Sequence, residues 1–404
     1  MTKKITSLLV VDDDPVFSRF VCQLVLALAE ELPCGVTCAA SAEAALTQIP
    51  RGRFELALVD YHLPGLSGLD LLAQINQLPL DQRPAVILLT GSGNEAVAVE
   101  AMKRGAKDYL KKNEVDVPSL MRALQSALAQ KRLAEQVAAY NAQMKADLEM
   151  AHKLQESLLP QSYPSFPPTA TAENSALRFC HRYFWTAQLG GDFFNVQNLS
   201  DRKAGVLICD VMGHGVRSAL VTAMLRALVG DLEKHAHDPG RFLSDMNRKL
   251  AAILKQIEEP LYATAFYMVA DVAAGKLRYA KAGHPAPLHL RRQAGIVEPL
   301  PFPTHAGAAL GLFEKSDFIT SERPLTAGDG ILLFTDGLFE VPNAEDEDFG
   351  AERLLAAARQ RIHQPLPALL DGLITDVRAF AGGNDFSDDV CLLGMEVART
   401  GGNG

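Results

Sequence analysis

No apolar run in the 404 residues approaches the ~20 that a bilayer-spanning helix requires, and no two of the six cysteines stand in CxxC spacing. The first absence argues against a membrane span. The second argues against a zinc site, and because several of Cys22, Cys34, Cys38, Cys180, Cys209 and Cys391 lie inside apolar runs, reduced core thiols are expected. Basic clusters are also lacking: the formal net charge is −9, which gives a nucleic-acid partner nothing to bind. The N-terminal MTKKITSLLVVDDD joins lysines to an apolar run, but aspartates interrupt it and no small-residue cleavage site follows. A cytoplasmic chain is expected. Repeats and low-complexity tracts are absent too. What is present, 48% hydrophobic and 22% charged residues, suits two or three globular domains.

From residue 7 to about 130, strand-length apolar runs (SLLVVD, VTCAA, LALVD, AVILLT, DYLKK) alternate with amphipathic helical stretches. Five such units predict a doubly wound, flavodoxin-like α/β domain with five parallel strands and its site at their carboxyl ends. Between about 118 and 159 there is no glycine, and Leu133, Val137, Tyr140, Met144, Leu148, Ala151 and Leu158 recur at three- and four-residue steps. That spacing predicts one long helix whose apolar seam can pair with a second copy. Pro160, Pro164, Pro167 and Pro168 end it. After 170, β-rich alternation with helices at about 215–234 and 240–257 predicts an α+β layered domain. The expected division is 1–118, a helical coiled-coil linker 119–160, and 161–400.

In the first domain Asp12, Asp13, Asp60, Thr90 and Lys112 fall at strand ends that converge in such a sheet. Three carboxylates together repel unless a cation joins them, and oxygen ligands with open positions favour Mg²⁺. One carboxylate can then act as a nucleophile toward a phosphoryl group while Lys112 neutralises charge. In these motifs (LLVVDDDP, LALVDYHLPGLSG, LLTGSG, GAKDYLKK) the segment resembles two-component receiver domains. The resemblance implies Asp60 as phosphoacceptor, Thr90 and Tyr109 as switch residues, and Mg²⁺ held by Asp12, Asp13, Asp60 and the main-chain carbonyl of His62. It also implies a sensor histidine kinase or phosphotransfer protein as partner. Asn113 departs from the family's usual proline.

In the second domain Asp192, Asp210, Asp336 and Asp388 each sit at the edge of a strand signal beside glycine or another acid. Four acids from separate strands make a hard-oxygen set for Mg²⁺ or Mn²⁺, and two such ions can hold a bridging water and clamp a phosphate. The glycines near Asp210 let the backbone come close enough for a carbonyl, that of Val211, to serve as a further ligand. Taken with LQESLLP, GGDFF, DVMGHG, AGHPAPL and SDDV, this order resembles the PPM (PP2C-type) protein phosphatases, in their SpoIIE/RsbU-like branch. The resemblance implies a β-sandwich flanked by helices and two Mn²⁺ or Mg²⁺ ions. Asp210 would bridge them, Asp336 and Asp388 would hold one, Asp192 would complete the set, and Asp389 would be a neighbour. His284 reads as a structural turn and His214 as a variable position. Lys281 and Cys391 depart from the branch's usual Asn and Thr.

Together the resemblances imply a response regulator whose Asp60 controls a metal-dependent serine/threonine phosphatase. Its implied substrate is a phosphorylated anti-sigma factor antagonist, and its expected form a homodimer through 119–158. The alternative is an RssB-like adaptor that has lost its metal ligands. All four carboxylates are present here.

Overall fold

The computed structural model describes residues 6–91, 95–257, 260–303, 307–383 and 386–400. The chain divides into two compact units, Met1–Lys145 and Ala146–Gly404.

In the first unit, strands β1 (Thr6–Val11), β2 (Cys34–Ala39), β3 (Leu56–Asp60), β4 (Ala85–Thr90) and β5 (Asp108–Lys111) form one parallel sheet in the order β2-β1-β3-β4-β5. Between them run α1 (Pro15–Ala27), α2 (Ala42–Gly52), α3 (Gly68–Ile75) and α4 (Glu95–Lys103), and after them comes α5 (Val117–Leu158). Helices cover both faces, so the apolar runs of β3 and β4 are buried throughout. Alternate residues serve opposite faces. Leu8, Val10 and Leu58 pack with α1 and with Leu120 and Leu124 of α5, whereas Leu9, Val11 and Val59 pack with α2, α3 and α4. Helix starts follow local chemistry. The Asp14 side chain caps α1 ahead of Pro15, and Ser67 and Asp70 form a reciprocal capping box on α3.

The gap in glycine after residue 117 is realised as one helix of 42 residues. Its first turns are buried through Leu128, but Leu133, Val137, Tyr140 and Met144 are 62, 51, 65 and 44% exposed. The expected seam therefore faces solvent in the single chain. The division between units falls within this helix, at Lys145/Ala146.

The second unit holds two antiparallel five-stranded sheets. One, ordered β13-β10-β9-β8-β7, uses β7 (Asp192–Ser200), β8 (Lys203–Val211), β9 (Ala263–Asp271), β10 (Lys276–Ala282) and β13 (Ser321–Pro324). The other, ordered β12-β11-β14-β15-β6, uses β6 (Leu177–Phe184), β11 (Leu288–Arg291), β12 (Ile296–Pro299), β14 (Gly330–Phe334) and β15 (Val390–Val397). Ile331 and Leu333 join Ile208, Phe266 and the helices α6 (Val216–Asp231) and α7 (Pro239–Leu254) in one core. Leu332 and Phe334 point the other way, into a second core with α8 (Gly350–Gln360) and α9 (Leu366–Phe380). The result is a sandwich flanked by helices.

Helices α8 and α9 are additional to the two that the sequence pattern predicts for this domain. The apolar runs also predict core cysteines, whereas only Cys209 and Cys391 are buried, Cys38 is exposed and the other three are intermediate. Cys34 and Cys38 lie on β2, which ends the order of its sheet, so they lack the cover given to central strands.

Candidate metal and phosphoryl sites

Parallel strands bring their carboxyl ends to one edge of the first sheet, and Asp12, Asp60, Thr90 and Lys112 lie there. Carboxylate oxygens of Asp12, Asp13 and Asp60 all lie within 4.8 Å of one another. Lys112 Nζ reaches Asp12 Oδ2 at 2.7 Å and Asp60 Oδ2 at 2.9 Å. Burial pushes the Asp60 carboxyl up; Lys112 pulls it down and Asp12 pushes it up again. Burial works against charge on Lys112, but the two carboxylates outweigh it and raise its pKa. The main chain of His62 hydrogen-bonds Asp60 and so favours its charged form. Thr90 is buried, Tyr109 is 38% exposed and Asp13 is open to solvent. Gly68 permits the turn after Asp60: a Cβ there would lie 2.2 Å from the Asp60 carbonyl oxygen. The Lys112–Asn113 bond is trans, for among the described residues the cis peptide is Phe166–Pro167.

In the second unit Asp192 and Asp210 stand directly opposite each other on β7 and β8, which puts both side chains on one face. Asp336 follows β14 and Asp388 precedes β15, its antiparallel neighbour. Asp210 is pushed up to about 7, first by burial and then by Asp336, Asp388, Asp389 and Glu340. Asp192 and Asp336 are raised by burial and by carboxylates of the same set. Mutual repulsion of this kind is relieved by a hard divalent cation, so the donor set fits Mg²⁺ or Mn²⁺. The oxygens are spread more widely than in the first unit: among the described residues, only the Asp12–Asp13–Asp60 group lies wholly within 4.8 Å.

The glycines of the motifs are required by close approach. A Cβ on Gly191 would lie 2.5 Å from the Val211 carbonyl oxygen, one on Gly190 would lie 2.4 Å from Asp389 Oδ2, and one on Gly337 would lie 2.1 Å from the Asp389 carbonyl oxygen. Asp389 is buried and accepts hydrogen bonds from Thr186 N–H (2.9 Å), Thr186 Oγ1 (3.1 Å) and Gly191 N–H (2.8 Å). It ties the GGDFF loop to the SDDV loop. His284 is buried, with Nδ1 2.8 Å from Thr264 Oγ1, and burial pushes it down to about 3. Burial thus favours its neutral form. His214 is exposed. Lys281 Nζ lies 4.7 Å over the Phe302 ring, and buried Cys391 donates its N–H to Thr335 Oγ1 at 3.0 Å.

Three residues of this site escaped the sequence reading. Thr335 is fully buried and donates its hydroxyl to Asp192 Oδ2 at 2.7 Å. Glu340, four residues after Asp336, is raised by burial and by Asp336, Asp348 and Asp388. With Asp336 and His284 it lines a cavity of about 530 Å³. Gln155 donates to the Gly190 carbonyl at 2.7 Å and accepts from Gly190 N–H at 3.1 Å. It lies in LQESLLP near the end of α5, where a polar helix residue gives no signal of its own.

With this geometry in view, comparison with known proteins finds likeness in both units. Residues 8–146 match the response regulator receiver domain, and residues 200–398 match Stage II sporulation protein E (SpoIIE). The chain is 28% identical over 255 residues to phosphoserine phosphatase RsbP of Bacillus subtilis (strain 168), covering 63% of this chain and 58% of that protein. It is 24% identical over 199 residues to phosphoserine phosphatase RsbU of the same organism, covering 49% and 55%. This chain thus spans a little over half the length of each. The fold of the second unit is similar to the SiaA-PP2C domain of Pseudomonas aeruginosa, with a TM-score of 0.54 at 22% identity, covering 64% of this chain and 99% of that one.

Proposed function

We propose, for a chain that joins a response regulator receiver domain to a SpoIIE, PP2C-type phosphatase domain, that phosphorylation at Asp60 controls hydrolysis of phosphoserine or phosphothreonine in a protein. The observation that carries the reading is the convergence of Asp192, Asp210, Asp336 and Asp388, with Asp210 pushed up to about 7 by burial and then by its acidic neighbours. A chain that acted by contact alone would have no need to keep that repulsion. Divalent cations bound there would activate water and neutralise the phosphate. Asp210 would hold both, Asp336, Asp388 and the Val211 carbonyl would take single contacts, and Asp192, fixed by Thr335, would complete the set. In the receiver, Asp12, Asp13 and the His62 carbonyl would hold Mg²⁺ beside Asp60, with Lys112 balancing charge on the incoming phosphoryl group. The donor would be a sensor histidine kinase or phosphotransfer protein. RsbU and RsbP are phosphoserine phosphatases, and as the resemblance to the SpoIIE/RsbU-like branch implies, the substrate would be a phosphorylated anti-sigma factor antagonist in a partner-switching pathway, in the cytoplasm. No described helix is long and apolar enough to cross a membrane.

Between receiver and phosphatase, residues 119–160 would act as a linker whose exposed seam pairs with that of a second copy in a homodimer.

Asp210→Asn tests the enzyme assignment. It should lower Mn²⁺-dependent phosphate release from a phosphoserine protein by more than about 100-fold, since even outer-sphere losses cost about 10–100-fold, while the circular dichroism spectrum is unchanged. Turnover close to that of the parent chain would exclude Asp210 as a bridging ligand.

A further inference from the structure

We propose that Cys22 and Cys38 form a reversible disulfide, which makes the cavity beside Asp12 and Asp13 a redox modification site whose co-reactant is a small-molecule disulfide. Their sulfurs lie 3.8 Å apart, one on α1 and the other on β2. Side chains alternate along β2, so Cys34, Val36 and Cys38 share the face that packs toward α1, where Val21 and Val25 are buried. Cys34 is four residues from Cys38 along the strand, about 13 Å, and the close approach to Cys22 is made by Cys38. The remaining cysteines belong to the other unit.

Access and position make the pair more than packing. Cys38 is exposed, and both thiols line a cavity of about 510 Å³ together with Asp12, Asp13, Ser18 and Arg19. The residue after Cys38, Ala39, accepts the Asp12 N–H at 3.0 Å. Phe17, on the same helix as Cys22, lies 4.7 Å under Lys112 Nζ. A covalent tie between α1 and β2 therefore fixes two segments that contact the acidic triad and its lysine.

The chemistry balances as exchange. The Cys38 thiolate attacks one sulfur of the small disulfide, forming a mixed disulfide and expelling one thiolate. The Cys22 thiolate then attacks the Cys38 sulfur and expels the second. The protein loses two electrons and two protons, and the small disulfide is reduced to two thiols. Burial, then the hydrogen bond and charge of Cys22, push the Cys38 thiol up to about 11. The thiolate is therefore scarce at neutral pH, and exchange should speed up as pH rises.

The test uses the full chain equilibrated with oxidised glutathione, alkylated, and mapped by mass spectrometry. The expected product is a peptide pair crosslinked through Cys22 and Cys38, two hydrogens lighter and reopened by dithiothreitol. Cys34→Ser should leave its yield unchanged. Cys22→Ser and Cys38→Ser each remove one of the two sulfurs, so exchange should stop at the mixed disulfide and trap a glutathione adduct on the remaining thiol. A wild-type chain that stays reduced, carries only glutathione adducts, or crosslinks through Cys34 would overturn the proposal.

Discussion

Asp210 and His284 lie near each other in the second unit, Asp210 facing Thr264 across β8 and β9 and His284 bonded to that threonine, yet burial acts on them in opposite directions. It favours the neutral form of each, which raises the acid and lowers the base. For His284 this has a measurable consequence. Its folded pKa, about 3, lies below the ordinary 6.5, so between those values the unfolded chain holds a proton that the folded one refuses. Stability contributed by the neutral ring is present in full well above pH 6.5 and is lost progressively as pH falls below it, on the order of 1 kcal/mol per pH unit. The raised carboxyls of Asp210, Asp192 and Asp336 act in the opposite sense over the same range, so the His284 contribution is read as a difference: in urea unfolding of the second unit, followed by its one tryptophan, Trp185, His284→Asn should lose less stability, or gain more, on acidification than the parent. Equal slopes would mean that the ring is protonated in place. At this scale the sequence was informative where chemistry demands a residue type, as at Asp60, Lys112 and the glycines whose Cβ would strike Asp389. Thr335 and Gln155 were hidden because hydroxyls and amides are common and their roles depend on partners far along the chain.

Secondary elements were legible to the extent that their patterns were one-sided. β3 and β4 are short apolar runs between polar turns, and α5 is a long stretch without glycine. By contrast α8 and α9 begin near Gly350, Pro365 and Pro367, residues that read as breaks, and their apolar faces became meaningful only against the outer side of β14 and β15. The end of α5 carries the most consequential contact that the pattern did not reveal. Gln155 holds both polar groups of Gly190, and Gly190 and Gly191 abut Asp389 and Val211. Gln155→Leu should leave both buried main-chain groups unpaired and loosen the Asp192 loop. The expected result is a roughly tenfold weaker apparent Mn²⁺ affinity in phosphatase assays. An unchanged Mn²⁺ titration would show that the helix end does not support the site.

For the whole molecule, the seam on α5 sets the question of assembly. Four apolar side chains at four-, three- and four-residue steps stay at least 44% exposed in one chain, a spacing that suits pairing with an identical helix. Replacing Leu133, Val137 and Met144 with Glu should convert a dimer to a monomer by light scattering, because charges at seam positions cannot be buried unpaired. A triple variant that remains dimeric would move the interface elsewhere. For the state of Asp60 to set the rate at the carboxylates of the second unit, the two arrangements of the chain must differ in free energy. The most direct test is phosphate release from a phosphoserine protein in Mn²⁺, measured on the full chain before and after loading with acetyl phosphate, and on Asp60→Asn treated in the same way. Loading should change the parent's rate by about fivefold or more and leave the rate of Asp60→Asn where it was. Equal rates before and after loading in the parent, or the same change in Asp60→Asn, would contradict the account.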